Sequence, residues 1–514
     1  MENTIKSVRP DNYWFYDYET FTASQYGGSV AQFAAVLTDG DFNILEQHNF
    51  YCELSQDMVP QLGACLVTGL TPQAIDRVPE GNKYSEFDFI GKIESLFLSR
   101  KNSIICGYNS IYFDDEWTRT LLYRNLRDPY QWAYKNFNKR FDGLNLIRMV
   151  HSLRPDILNW REVPRIKDDV EVGKRVTHKL EIISSDNGIL HESAHDALSD
   201  VIALIELCKL VRERAPEVYE YALNASMKQN CVEVTSKNFA HFSHFYTDTG
   251  GVNLLKPLVL TTANSVISWN LSIDASHFLG WSKDEILEYA SLKADQREEK
   301  GHPREKPFIW VKHNASPAIA PSASLSGEGV SQRTGLSAIR ESIAASQKTL
   351  LENLQYFNEF AVILDQCKRD NPYSEPNYDS DFDIYTSSFL NDMEKRHARS
   401  FVECETWEER YAYYQKGVMP PRVESMAFRI IGRNAPDILN EVDREIWWVF
   451  CKERITGIHP STSLDMSGDK YSLAELEKDL KDKIESLGEE QPCRVVAELS
   501  EYVSRLKSFV GLSN

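Results

Sequence analysis

Tyr13-Trp-Phe-Tyr-Asp17-Tyr-Glu19-Thr-Phe21 is the stretch on which the reading of this chain turns. Aromatic and β-branched residues suit a pleated strand, and the stretch reads as one. Side chains alternate faces along a strand, so Asp17 and Glu19 point the same way. Two carboxylates on one face of an otherwise apolar strand repel each other, and each loses hydration when buried. A divalent metal between them relieves both costs. Taken alone, the strand also reads as a strand end with a wet acidic face.

Residues 31–38 and 44–54 read as two further strands, with Asp39-Gly40 as the turn between them. The three form a meander with the acidic strand first. Thr71 before Pro72 marks a helix start. Residues 85–100 carry Phe89, Ile93, Leu96 and Phe97 at helical spacing. A short apolar strand, 103–107, leads through Tyr108-Asn109-Ser110-Ile-Tyr-Phe113-Asp114-Asp115-Glu116 into another helix. Residues 161–177 are charged, show no clear period and read as an exposed loop. His195-Asp196-Ala-Leu-Ser-Asp200 opens a Leu- and Ile-rich helix running to Arg214, with Asp196 as its N-cap. His195 then stands just before the helix and Asp200 in its early turns, so the two can converge on one site.

From about residue 216 the pattern changes. Apolar runs at 254–261, 265–271 and 308–311 suggest a small β-rich unit, and 315–335, rich in Ala, Ser, Pro and Gly, reads as a long surface loop. Residues 336–368 return to helix, 369–380 read as a polar linker, and the remainder is largely helical. There is no internal repeat.

With 514 residues the chain has room for two to four domains. Its 42% hydrophobic and 26% charged residues are those of an ordinary soluble globular protein. No apolar run reaches the length of a membrane span, and the first ten residues lack the apolar core of a secretory signal. The nine cysteines are scattered and form no CxxC, which fits reduced thiols in a cytoplasm rather than a zinc site. A formal charge of −19 counts against binding a polyanion over the whole surface and leaves room for a local basic groove.

One stretch has that basic character. Arg119, Arg124, Arg127, Lys135, Lys139, Arg140 and Arg148 interleave with Tyr123, Tyr130, Trp132, Tyr134 and Phe137. Cations hold phosphates and rings stack on bases, so the mixture suits a nucleic-acid single strand. A solvated amphipathic helix over an aromatic core is the other reading.

The acids Asp17, Glu19, Asp114 and Asp200, with His195, propose the chemistry. Four carboxylates can hold two divalent metals about 4 Å apart, the arrangement used for in-line phosphoryl displacement. A neutral His beside such a centre can take the proton from an attacking water. Singly, Asp114 reads as a helix cap, Asp200 as an exposed helical acid and His195 as a loop histidine. Their joint order and spacing favours the metal centre.

Asp17-Tyr18-Glu19, Phe113-Asp114 and the His195 to Asp200 spacing resemble the three exonuclease motifs of the DEDDh superfamily. The chain is more closely similar to the bacterial exonuclease I family, which acts on single-stranded DNA from the 3′ end. That likeness rests on segments such as Ala31-Gln-Phe-Ala-Ala35, Thr68-Gly-Leu-Thr-Pro72, Gly107-Tyr-Asn109, Asp128-Pro-Tyr130, Leu153-Arg-Pro155 and Ala194-His-Asp-Ala197. It is dense over residues 13–210 and thinner beyond, through Lys256-Pro-Leu258, His313-Asn314 and Arg433-Asn434-Ala-Pro436.

The resemblance implies an α/β RNase H-like exonuclease domain over 10–210, an SH3-like β-rich domain over 211–368 and a helical C-terminal domain over 369–514. These would surround a groove for the strand and so favour processivity. It implies two Mg²⁺ ions held by Asp17, Glu19, Asp114 and Asp200, with Mn²⁺ as a substitute, and His195 as general base. Strand contacts are implied at Glu19, Arg119, Tyr130, Tyr134, Arg148 and Lys179, with Lys228, Asn264 and Asn314 as weaker candidates. It further implies a monomer of the bacterial cytoplasm that works with single-strand DNA-binding protein. Two departures stand out. Lys179 replaces the family's Arg, keeping charge without the bidentate fork. Ser110 stands where the superfamily often has Asn, with Asn109 one position earlier. The loop 161–177 also looks longer than usual.

Three other functions compete. An exoribonuclease could use the same core, since nothing in the sequence shows how a 2′-OH is treated. A binding module with a relic site would have no need of four converging acids. A carboxylate-pair sugar hydrolase explains two acids but not four with His195.

Overall fold

The acidic stretch is strand β1 (Asn12–Thr20), at the interior of a mixed sheet. The computed structural model describes residues 7–25, 28–167, 170–190, 196–243, 251–261, 264–369, 379–385, 389–457, 471–487 and 491–512. In it, β1 pairs antiparallel with β2 (Val30–Asp39), β2 antiparallel with β3 (Ile44–Cys52), and β3 parallel with β4 (Lys83–Tyr84). On its other side β1 runs parallel to β5 (Ser103–Gly107), and β5 parallel to β6 (Lys139–Asp142). The order is therefore β4-β3-β2-β1-β5-β6. The expected meander is present, and the Asp39 carboxylate closes its turn by accepting from the amides of Asp41 and Asn43, each at 2.9 Å.

Both faces of this sheet are covered. Trp14, Tyr16 and Tyr18 pack with Phe33, Phe89, Phe97, Trp117 and Trp132. Tyr13 and Phe15 face the opposite side, against Val201, Leu204, Ile205 and Cys208 of the helix Ala197–Arg214. Asp17 and Glu19 share the parity of Phe15, so they face the helix that carries Asp200. β2 is buried from Val30 to Thr38 and apolar there except at Gln32 and Thr38, as a strand covered on both sides requires.

Residues 161–177 correct the expectation of a loop. Glu162–Lys167 (β7) and Val170–Val176 (β8) form an antiparallel hairpin. Charged residues share both strands with Ile166, Val170 and Val172, which stay exposed, so no buried face marks the hairpin. The β-rich unit is a five-stranded antiparallel sheet, β12-β11-β10-β9-β13. Its strands are β9 (Phe239–Phe242), β10 (Val252–Leu260), β11 (Ser265–Asn270), β12 (Phe308–Lys312) and β13 (Ile319–Pro321). The stretch 315–335 is thus not a plain surface loop: it holds β13 and the helix Glu328–Arg333, and Ala318, Ile319, Ala320 and Leu325 are buried. A three-residue edge strand ending at proline is too short to show a period. The helix Ala197–Arg214 runs through the 210/211 division, and two more helices, Pro216–Ala225 and Lys228–Val234, precede the second sheet. Among the described residues no helix is long and apolar enough to cross a membrane.

Arg340–Glu352 and Leu354–Arg369 form the expected helical stretch, broken at Asn353. Of the expected linker, 370–378 lie outside the described residues, and Asp379 and Ser380 are buried rather than exposed. Asp379 and Asp381, with Asp57 from the first unit, surround Arg429, Arg433 and Arg454. Asp57 Oδ2 lies 2.8 Å from Arg433 and 2.6 Å from Arg454, and Arg454 also reaches Asp379 at 2.8 Å. This cluster pins the C-terminal helices Pro421–Asn434 and Glu441–Thr456 to the exonuclease unit.

Burial alone would raise the Asp57 carboxyl, but Arg433 and Arg454 outweigh it and hold the group at about 2. Asp57→Ala should lower the unfolding free energy at pH 7 by about 3 kcal/mol, because it leaves buried guanidinium groups short of a partner. A folded value below the unfolded one means this contribution is complete above about pH 4 and lost as pH falls through the folded value. Urea melts of wild type and variant should therefore converge on acidification.

Candidate metal centre and strand groove

Three elements deliver the acids. β1 supplies Asp17 and Glu19. The helix Ala197–Arg214 supplies Asp200, and its N-cap Asp196 accepts from Ser199 N at 3.1 Å, as expected. Gln32 from β2 donates to the other Asp196 oxygen at 3.2 Å, which fixes the helix start against the sheet. One carboxylate oxygen from each of Asp17, Glu19 and Asp200 lies within 4.8 Å of the other two. Asp114 opens the helix Asp114–Arg124, is almost fully buried, and accepts from the Tyr18 backbone N at 3.1 Å. That bond locks the second motif onto the strand carrying the first. His195 lies outside the described residues.

The electrostatics reflect this crowding. Burial first, then Asp114, Glu19 and Asp200, push the Asp17 carboxyl well above its usual range. Burial and Asp200 lift Glu19 to about 9, and Asp114 stands at about 7, raised mainly by burial although backbone N–H groups pull it down. Hard oxygen donors on one divalent ion stand at most about 5 Å apart, so the trio fits such an ion. A cation is also what converging carboxylates lack.

The groove consists of two cavities. The first, of about 1020 Å³, is lined by Asp17, Asp200, Asn109, Arg148, Lys179 and His241 among others. The second, of about 500 Å³, is lined by Arg119, Tyr130, Tyr134, Lys228, Asn314 and Tyr385 among others. They meet at Tyr112, Lys312 and Ala315, which line both. The expected strand contacts are thus gathered along one path, with two exceptions. Glu19 is buried on β1 and lines neither cavity. Asn264 also lines neither; it is exposed, and its carbonyl accepts from His313 N at 2.9 Å, beside Asn314.

The cations differ in availability. Arg148 is buried, donates to Asn145 Oδ1 at 2.7 Å, and its Nε has no hydrogen-bond partner among the described residues. An orphan guanidinium N–H at a cavity wall is a ready anion contact. Lys179 is exposed, with Glu181 at 3.4 Å. Arg119 is paired with Glu116, whose other oxygen accepts from Tyr385 OH at 2.5 Å. Arg124 and Arg127 are not groove residues. Arg124 is fully buried on Glu86 and the Gly28 carbonyl, and Arg127 pairs with Glu94 at 3.0 Å. Burial and Arg148 hold His241 at about 4, so it is neutral at physiological pH.

Sequence reasoning missed Tyr112, Lys312 and Tyr385. Lys312 adjoins the His313-Asn314 pair, whereas nothing local marks Tyr385, which reaches the groove from the C-terminal unit. Ser110 is buried and accepts from Asp115 N at 2.8 Å through its carbonyl, while Asn109 faces the first cavity.

Carboxyls raised this far hold protons at pH 7 that a cation must displace. Calorimetric titration of Mn²⁺ in buffers of different ionisation enthalpy should show release of at least one proton at pH 7, with affinity rising from pH 6 to 9. Asp17→Asn should remove most of the binding. Binding without proton release would contradict the crowded cluster.

Residues 14–208 match the family model for exonucleases, and residues 378–506 match that for the exonuclease I C-terminal domain. Exodeoxyribonuclease I of Escherichia coli strain K12 is 32% identical over 442 residues, covering 84% of this chain and 87% of that protein. A zinc-bound complex of E. coli exonuclease I with single-stranded DNA superposes with a TM-score of 0.80 at 27% identity, over 96% of this chain and 99% of that one. A complex of exonuclease I with the C-terminal peptide of single-strand DNA-binding protein gives 0.79 at 26% identity, over 98% and 100%. With both family models matched and more than four-fifths of the chain aligned at 32% identity, the chain belongs to the exodeoxyribonuclease I family.

Proposed function

We propose that this protein removes 5′-mononucleotides from the 3′ end of single-stranded DNA in a divalent-metal-dependent reaction. The observation that carries this is the position of Asp17 and Asp200, with Glu19 and Asp114 buried beside them, on a path lined by Arg148, Lys179, Tyr130 and Tyr134. Asp17, Glu19 and Asp200 would hold the cation, and Asp114, pinned by Tyr18 N, completes the set for a second. Bound Mg²⁺, or Mn²⁺ in its place, supplies an activated water and a counter-charge for the phosphorane-like transition state.

The chain's own groups do the rest. Arg148 holds a phosphate oxygen near the last linkage, and Lys179 and Lys312 neutralise the phosphates behind it. Tyr112, Tyr130 and Tyr134 offer faces on which successive bases stack. His195, adjacent to the capping Asp196, takes the proton from water as it attacks in line. The 3′ oxygen of the penultimate nucleotide leaves, and the terminal residue departs as its 5′-monophosphate. A path running between the exonuclease and β-rich units, with Tyr385 of the C-terminal unit at its wall, suits a strand that stays threaded between steps. By analogy with its relatives, the protein works in a bacterial cytoplasm, as a monomer, beside single-strand DNA-binding protein.

The test is a denaturing gel of 5′-labelled single-stranded DNA, duplex DNA and RNA of one sequence, with Mg²⁺ or chelator. Shortening of the single-stranded DNA alone, from its 3′ end and only with metal, is expected. RNA degradation would move the assignment to an exoribonuclease, and strand binding without cleavage to a relic module. Asp200→Ala should cut the rate by at least about a thousandfold with strand affinity kept. Arg148→Ala should weaken binding and lower the salt slope by about one, since one phosphate contact is lost.

A further inference from the structure

Asp142 closes β6 and lies almost fully buried beneath the first cavity, yet it is none of the acids that face a cation. Its Oδ1 accepts from Asn109 N at 3.2 Å, Leu144 N at 2.9 Å and Asn145 N at 3.4 Å, and its Oδ2 accepts from Ile111 N at 3.2 Å. Two of these amides belong to the start of the helix Gly143–Leu153, for which Asp142 is the N-cap. The other two belong to the segment leading into Asp114. One carboxylate therefore ties together two stretches of backbone that have no sequence proximity.

Both stretches line the first cavity, Asn109 and Tyr112 from the one and Leu144, Asn145 and Arg148 from the other. Asn109 is held at φ 64°, a left-handed conformation that costs a non-glycine residue energy unless its surroundings impose it. The bond from its N–H to Asp142 is the restraint at hand. Gly107, just before, has no room for a side chain, because a β-carbon would lie 2.6 Å from that of Ser110. The segment is thus folded tightly back on itself, and Asp142 sets its distance from the Arg148 helix.

We infer that Asp142 is a positioning residue for the terminal nucleotides, acting through the Asn109–Ile111 backbone on one side and the Asn145–Arg148 turn on the other. It touches neither substrate nor cation. Its removal should widen the cavity and misplace Asn109 and Arg148 while leaving the Asp17, Glu19 and Asp200 cluster intact. Asn cannot replace it: one amide oxygen accepts, but the –NH₂ would face a backbone N–H.

The inference rests on the nuclease reading, and cleavage by the wild type is the control that separates the two. With wild type active, Asp142→Asn should raise KM for a single-stranded oligonucleotide about tenfold, with a smaller fall in kcat. Calorimetric Mn²⁺ affinity should move far less than KM, since Asp142 reaches the cluster only as a charge near Asp114. Wild-type KM in this variant, or a matching loss of Mn²⁺ affinity, would overturn the assignment. A second arm covers misfolding of that variant. Asn109→Gly, which relieves the φ restraint, should itself raise KM at constant Mn²⁺ affinity, and the double variant should be less impaired than the product of the two single effects. Wild-type KM in Asn109→Gly, or strictly multiplicative effects, would equally sink it.

Discussion

Mutual repulsion among buried carboxylates is the constraint on which the rest of this structure depends. Asp17, Glu19 and Asp200 bring oxygen atoms within 4.8 Å of one another, and Asp114 joins them electrostatically. Left to itself such a cluster would spread or stay protonated. It is held because each acid rides on an element fixed for other reasons. β1 is paired on both sides and packed by aromatic rings on both faces, so Asp17 and Glu19 cannot swing apart. The helix with Asp200 is anchored by a cap that β2 also grips. Aromatic burial is cooperative across the sheet, and the unfavourable charge is concentrated at the one place where a cation offsets it.

The same logic explains how an acidic protein can hold a polyanion. Of the cations in the aromatic-rich segment, Arg124, Arg127 and Arg140 are consumed by structure, on Glu86, Glu94 and Asp115. Attraction is thus confined to the groove, where Arg148 keeps an unpaired N–H and Lys179 stays exposed. Arg119 is intermediate. Glu116 occupies it and Tyr385 occupies Glu116, so a phosphate arriving there exchanges one anionic partner for another rather than meeting a free charge. Specific threading is favoured over adhesion to the surface.

Local chemistry was legible and distant chemistry was not. β1, the turn at Asp39, the Thr71 cap and the Asp196 cap each announce themselves within a few residues, because alternation, capping side chains and proline act over one turn. The hairpin β7–β8 escaped because strands with no buried face need no apolar period. β13 escaped because three residues carry no pattern. Asp379 looked like linker since nothing nearby in sequence pairs with it; its partners Arg429 and Arg454 lie tens of residues away. Tyr385 was hidden for the same reason. The four acids were readable despite their separation only because their order and spacing form a pattern as a set.

Much of the site's positioning runs from side chain to backbone. Asp114 grips Tyr18 N, Asp196 grips Ser199 N, and Asp142 grips four amides on two segments. A backbone N–H is present whatever residue carries it, proline excepted, so these restraints survive substitution of the gripped residues. Ser110 serves the centre through its backbone: its carbonyl does the structural work on Asp115 N, and the cavity is served by Asn109 one position earlier. The restraint resides in the residues doing the gripping, whose carboxylates no backbone can replace. A chain that keeps these few acids can drift widely in the residues between them and still deliver the same carboxylates to the same point.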